Sequence, residues 1–166
     1  MTHTMALRSV AIVLFSLLLC GQAAAQQKPA LQVFTSGEWG FRAVFPGTPE
    51  RGESTTARGH KSVEFVVETA DKSAYLVMVT EFLRPLDDRV LGGARSGVLK
   101  GRKLLSEERI SVGGFPGWEI KLQDGEHQLL VRVMIAGTRL YQAIFAAEKI
   151  NDSAVDFVRS LVPLPQ

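Results

Sequence analysis

Two neighbouring apolar segments constrain the fold of this chain more than any other feature. They read QLLVRVMIAG and RLYQAIFAAE, and the residues AGT at 136–138 join them. Neither segment alternates cleanly between apolar and polar residues, so each is expected to be a strand with apolar side chains on both faces. Such strands need cover on both sides. The sequence therefore predicts two central strands of a sheet that is buried on both faces.

Further strands are predicted before this pair. The segment AYLVMVTEFL at 74–83 is also apolar on both faces, whereas SVEFVVETA at 62–70 alternates and is expected to be half-exposed. An aromatic strand is predicted around Phe41, and Pro46-Gly47 ends it. The polar segment 50–61 indicates a weak strand or a loop, and KLLSEERISV at 103–112 indicates a strand of mixed polarity.

Two segments change to helical periodicity, 86–101 and 151–162. Asp87 is expected to cap the first helix, and Asn151 or Asp152 the second. Glycines within the first helix weaken it and are expected to allow a close approach to the sheet. Since strands and helices are segregated along the chain, the prediction is an α+β fold. It has a central antiparallel β-sheet with helices on both faces, an α/β/α sandwich.

The stretch SVGGFPGWEIKL at 111–122 concentrates glycines and raises the question of a phosphate-binding loop. Such a loop places backbone N–H groups at the start of a helix. The residues after Gly117 alternate as a strand does, and no Lys-Ser or Lys-Thr pair follows the glycines. The stretch is therefore interpreted as a corner between two strands, formed by Gly113-Gly114 and Pro116-Gly117.

This corner also carries a family resemblance. The chain resembles a PsbP-like domain, in particular the small exported bacterial proteins of that superfamily. The segments that show this are the corner, VRVMIAGTRLYQAIFAAEK, AVDFVRSLVPL and the early FRAVFPGTP. The resemblance extends from Gly37 to Leu164 and implies an antiparallel sheet with helices on both faces. It also implies function through partner binding rather than catalysis. The matching positions are Gly114, Pro116, Gly117, Glu119, Arg132, Gly137, Arg139, Leu140, Tyr141, Phe157 and Ser160.

The N-terminus has the three parts of a secretory signal peptide: Arg8, a short apolar run, and an A-x-A site. Residues 1–25 are predicted to be removed by cleavage between Ala25 and Gln26, which leaves 26–166 as a single domain in the periplasm or outside the cell. Lipid anchoring at Cys20 is the alternative. The apolar run is shorter than the roughly 20 residues of a membrane span, and no transmembrane segment is expected in the mature chain.

The residues of the mature chain offer no arrangement typical of catalysis. Cleavage would remove Cys20, the one cysteine. His60 and His127 lack the clustered spacing of a metal site, so neither a metal nor a cofactor is predicted. The serines near glycines, Ser36, Ser96 and Ser111, have no nucleophile-elbow motif. Adjacent acids at 87–88 and 107–108 indicate a helix start and opposite faces of a strand. The chain is therefore expected not to be an enzyme.

Charge gives the remaining indication of function. Cleavage removes one basic residue and no acid, so 18 basic residues would stand beside 17 acidic ones, a balance that argues against nucleic acid as the partner. Basic residues nevertheless gather around the first helix: Arg84, Arg89, Arg95, Lys100, Arg102 and Lys103. They indicate either a docking face for an acidic partner or an anionic lipid surface, or else a solvated helix face.

Two functions are thus open. One is an exported, non-enzymatic module of the cell envelope that docks to an unknown protein partner through Arg84, Arg89, Arg95 and Lys100. The alternative is a periplasmic carrier of a small apolar ligand, held between the sheet and the glycine-rich segment 86–101.

Overall fold

A computed structural model of the chain describes residues 30–165. The predicted signal peptide, its cleavage between Ala25 and Gln26, and the alternative of lipidation at Cys20 all lie outside these residues. Among the described residues, no helix is long and apolar enough to cross a membrane.

The described chain forms two antiparallel sheets and two helices. Seven strands form the large sheet in the order β3-β4-β5-β9-β8-β7-β6, and three form a small sheet in the order β1-β2-β10. In chain order the elements are β1 (Gln32–Ser36), β2 (Phe41–Phe45), β3 (Glu50–Thr55), β4 (Lys61–Glu68), β5 (Ala74–Glu81), α1 (Asp88–Leu99), β6 (Lys103–Val112), β7 (Phe115–Asp124), β8 (His127–Ala136), β9 (Arg139–Ala147), α2 (Asp152–Ser160) and β10 (Val162–Pro163).

The predicted α+β class and antiparallel strands are confirmed. The two apolar segments form β8 and β9 in the interior of the large sheet, as expected. The polar segment 50–61 provides β3, an edge strand whose six residues are all exposed. The small sheet was not predicted: β2 pairs with β1 and with the two-residue β10, although its buried aromatic residues pack into the same core as α2.

Alternation along β8 divides the buried side chains between two cores. Leu130 and Met134 belong to the larger core, which includes α2 and the small sheet. Val131 and Val133 belong to the second core, which includes Leu91 of α1. Successive side chains of a strand point to opposite faces, so this division follows directly from the double apolar pattern in the sequence.

The glycines act differently from the sequence interpretation. A Cβ added at Gly92, Gly93 or Gly97 would meet no atom within 4 Å, so the expected close approach of α1 to the sheet through these residues is wrong. The close approach occurs at Gly117, where a Cβ would lie 2.5 Å from the carbonyl oxygen of Val133. Gly117 lies inside β7 and is not part of the corner.

The corner itself is shorter than predicted. Gly113 and Gly114, with φ angles of 60° and 86°, form the turn between β6 and β7. Both angles lie in the left-handed region that glycine adopts without steric cost. No helix follows, because β7 begins at Phe115. The interpretation as a strand-to-strand corner is confirmed, with Pro116 and Gly117 reassigned to the strand.

Candidate functional site

Helix α1 covers only part of the sheet face on which it lies. It contacts β7 and β8, and Leu91 is its one fully buried side chain among the described residues. Leu91 packs into a core with Ile120 and Leu122 of β7 and Val131 of β8. We call β7 and β8 the covered half of this face.

The same face continues over β9, β5 and β4, which we call the open half. Val66, Leu76 and Ile144 lie side by side across these strands, and Met78 lies two residues further along β5. All four side chains are half-buried. Within residues 30–165, neither core includes Val66, Leu76 or Met78. Ile144 packs against the second core, and Glu64 and Gln142 lie on either side of Met78. Among the described residues, the open half is therefore a partly apolar sheet surface on which no helix packs as α1 packs on the covered half.

A groove of about 900 Å³ borders the open half where α1 begins. Its apolar lining includes Phe82, Leu86, Val90, Ala94 and Leu140. Three arginines, Arg58, Arg84 and Arg89, also line it, and the His60 ring lies 4.3 Å from the Phe82 ring between centroids. Leu83, in the linker from β5 to α1, is 94% exposed. Asp87 also lines the groove, which thus combines an apolar floor with three arginines and one carboxylate.

The predicted contact residues fall in different places. Arg84 is exposed in the linker, and Arg89 is exposed and pairs with Asp87 at 2.8 Å. Lys100 is exposed just past the other end of α1. Eleven residues separate Arg89 from Lys100, which corresponds to about 16 Å along a helix. These three residues therefore do not form one compact patch.

Arg95 has a structural role instead. Its guanidinium donates two hydrogen bonds to Glu107 of β6, at 2.7 and 2.5 Å, and lies 5.2 Å from the ring centroid of Trp118. The hydrogen bond from Arg95 lowers the pKa of Glu107. Arg109 lies over the same ring at 5.3 Å and binds Asp88 at the start of α1. These contacts hold α1 on the covered half.

A second charged cluster, not predicted from the sequence, ties α2 to the large sheet. Glu119 of β7 accepts hydrogen bonds from Arg132 at 2.6 Å and from Arg159 of α2 at 2.8 Å. Burial alone would raise the pKa of Glu119, but the hydrogen bonds from the two arginines bring it below its usual value. Because both arginines bind Glu119, and Arg132 also donates to the carbonyl of Arg159, this cluster is structural.

The residues considered for catalysis are also engaged or isolated. Ser36 accepts a hydrogen bond from the backbone of Trp39, and Ser96 donates one to the carbonyl of Gly92. His127 is exposed at the start of β8, away from the groove that His60 lines. In the part of the chain that the structure describes, no group of three acidic, histidine or cysteine side chains could hold a metal ion.

This chain resembles a known protein in fold. No protein-family model matches it, and no curated protein sequence matches it significantly. Among solved structures it is similar to the solution structure of cyanobacterial PsbP (CyanoP) from Synechocystis sp. PCC 6803, with a TM-score of 0.54 and 15% identity. The match covers 87% of this chain and 98% of that one. This likeness supports the PsbP-like fold expected from the sequence, and at this identity it shows the fold alone.

Proposed function

We propose that the chain is an exported, non-enzymatic interaction module of the cell envelope that docks to a protein partner. The observation that carries this proposal is the groove beside α1, with its apolar floor and its arginines. Within the described residues, Arg58 and Arg84 have no carboxylate partner. Arginine binds carboxylates in a two-pronged geometry, so the groove suits an acidic and partly apolar segment.

The predicted contact residues divide between docking and positioning. We assign Arg84 and Arg89 to the docking surface. The exposed pair of Arg89 with Asp87 costs little to exchange for a carboxylate of the partner, because surface ion pairs contribute little to stability. Arg95 positions α1 through Glu107. Lys100 would contact only a partner that extends along the whole helix.

Export and the layered fold belong to the same proposal. Cleavage between Ala25 and Gln26 would deliver the single domain 26–166 to the periplasm or the outside of the cell. We further infer the predicted α/β/α arrangement, with α1 and α2 on opposite faces of the large sheet. The alternation of Leu130 and Val131 between the two cores supports it. The family resemblance in the sequence, which implies partner binding without catalysis, supports the absence of an enzymatic role.

Native mass spectrometry of the protein, purified gently from the envelope of its own host, tests the proposal. The same spectrum gives the mass of the processed chain. We expect a complex with a discrete protein that is lost in the double variant Arg84→Glu/Arg89→Glu. The double variant Lys72→Glu/Lys149→Glu is the matched control, because both lysines are exposed and lie outside the groove. A bare chain in every sample, or a complex that survives the arginine reversal, would contradict the proposal.

A carrier of a small apolar ligand is the second candidate. The groove lies against segment 86–101, where the ligand of such a carrier is expected. The volume of the groove is about 900 Å³. This volume falls within the range of about 300–1,000 Å³ typical of ligand sites. In the same spectrum, the mature chain with an added small-molecule mass would support the carrier and identify its ligand.

A further inference from the structure

We propose that the open half binds an amphipathic helix of the protein partner, which lies beside α1 and antiparallel to it. This inference rests on the proposed function, since it names the part of the partner that docks. It adds the sheet surface of β4, β5 and β9 to the groove. It also fixes the chemistry and the direction of the segment that would occupy them.

The width of the open half fits one helix. Neighbouring strands lie about 4.8 Å apart, and a helix with its side chains is about 10–12 Å across. One helix therefore covers about two strands, as α1 covers β7 and β8. The adjacent strands β9, β5 and β4 leave room for a second helix beside it.

The open half has apolar side chains at positions where a sheet exposed to water would have polar ones. In an antiparallel sheet with one face toward water, the outward positions are mostly polar. Here Val66, Leu76 and Ile144 form a continuous apolar row across three strands, with Met78 beside it. A helix with apolar residues at i, i+3, i+4 and i+7 would bury this row.

The side of α1 that borders the groove carries glycines, so no side chains project from it at these positions. Gly93 lines the groove, and Gly97 lies one helical turn further along the same side. A Cβ at either position would meet no atom within 4 Å. A neighbouring helix can therefore approach α1 closely while it rests on the sheet.

Charges around the open half set the direction of the bound helix. Glu64 and Glu68 lie on β4 at its outer border and have no ion pair within residues 30–165. Arg58 and Arg84 lie at the end where α1 begins. A helix carries partial negative charge at its C-terminus, so that end would lie at the arginines. Lysine or arginine side chains along one flank would then face Glu64 and Glu68.

A second copy of the chain fits this surface less well than a helix. Two sheets that pack face to face lie about 10 Å apart. Helix α1 rises by about one helix diameter above the same face in each copy. Only the outer side of each α1 could then lie over the open half of the other copy. Its exposed residues Arg89, Ser96 and Lys100 are polar or charged and would not bury the apolar row.

The probe for this inference is a synthetic amphipathic peptide of about 15 residues, a length at which isolated helices are marginal in water. It has leucines at i, i+3, i+4 and i+7, lysines along one flank, glutamates in the last turn and a free C-terminal carboxylate. A second peptide of the same composition has the lysines and glutamates exchanged. Each is titrated into ¹⁵N-labelled chain 26–166 and followed by amide chemical shifts.

We expect shifts at the amides of Leu76, Met78 and Ile144, and at least about tenfold weaker binding of the charge-exchanged peptide. Met78→Glu should weaken binding of the first peptide at least about tenfold. Val33→Glu is the control, because Val33 is 71% exposed on β1, outside the proposed surface, and should leave binding unchanged. No shifts at the open half, equal binding of the two peptides, or insensitivity to Met78→Glu would overturn the inference.

Further results would distinguish a failure of the helix inference from a failure of the proposed docking function. A dimer in sedimentation velocity that Met78→Glu dissociates would assign the open half to a second copy and overturn the helix. If the peptide fails while Arg84→Glu/Arg89→Glu still dissociates the complex from the host, the docking function stands and the helix inference is wrong. If no such complex exists in the host, the proposed function itself is wrong.

Discussion

The covered and open halves of one sheet face have similar apolar side chains and different surroundings. Over β7 and β8, Leu91 of α1 completes a core with Ile120 and Leu122. Over β5 and β4, Leu76 and Val66 remain half-buried, and no helix of the described chain packs on them as α1 packs on the other half. Apolar strand residues in one half thus complete a core of the fold, and to those in the other half we assign recognition of a partner.

The two halves also differ in whether the arginines beside them form ion pairs. The covered half is tied to α1 by the pairs Arg95–Glu107 and Arg109–Asp88, whose guanidinium groups flank Trp118. The groove next to the open half has arginines without such partners, Arg58 and Arg84. The arginines of the covered half are thus engaged in the fold, and we assign the unpaired arginines beside the open half to a partner.

Truncation of a leucine in each half should give the largest difference. Leu91→Ala should lower the free energy of unfolding by about 2–5 kcal/mol, because it leaves a cavity in a closed core. Leu76→Ala should cost less than half as much, since the outer side of Leu76 has no helix against it. Urea unfolding of both variants measures the difference, and equal losses would show that the open half is a core after all.

Two glycine substitutions test the packing of β7 in the covered half and of the side of α1 that faces the open half. Gly117→Ala should destabilise the protein by about 1–3 kcal/mol, because the new methyl group would overlap Val133 and Met134. Gly97→Ala should stabilise it by up to about 1 kcal/mol, since its methyl group enters open space on a helix. Thermal unfolding measures both, and a destabilising Gly97→Ala would indicate that this flank of α1 is already packed.

Acid should weaken the attachment of α1 to the covered half. The hydrogen bond from Arg95 holds the pKa of Glu107 below its usual value of 4.5. Its stabilising contribution is therefore complete above pH 4.5 and is lost as the pH falls through the lowered pKa. Glu107→Gln should flatten the dependence of stability on pH in that acidic range, while Glu108→Gln, at the exposed neighbour, should change it less. Unfolding curves across this range measure the effect, and identical pH profiles for wild type and Glu107→Gln would contradict it.

Local patterns in the sequence were sufficient for much of the fold. Apolar residues on both faces predicted interior strands, and β8 and β9 are interior. Side chains that favour helix starts predicted the caps, and Asp87 and Asn151 accept hydrogen bonds from the first turns of α1 and α2. These features depend on neighbouring residues, and a single sequence therefore contains them.

Features that depend on distant parts of the chain were not predicted. The small sheet requires β10, at the end of the chain, to pair with β2 near its beginning. The segment 74–83 was predicted to need cover on both faces, but its sequence could not show that α1 would lie over β7 and β8 instead of β5. The groove likewise combines Arg58, the linker after β5 and Leu140, which only the folded chain brings together.

Position-specific photo-crosslinking in living host cells tests whether the open half and the groove contact a partner protein. A photoreactive residue is placed singly at Met78 and Arg84, and at the exposed positions Glu53 and Val33 as controls. We expect Met78 and Arg84 to crosslink to the same protein, through a helical segment of it, and the controls not to do so. Equal crosslinking from all four positions, or none from Met78 and Arg84, would contradict the claim that this half of the sheet is a recognition surface.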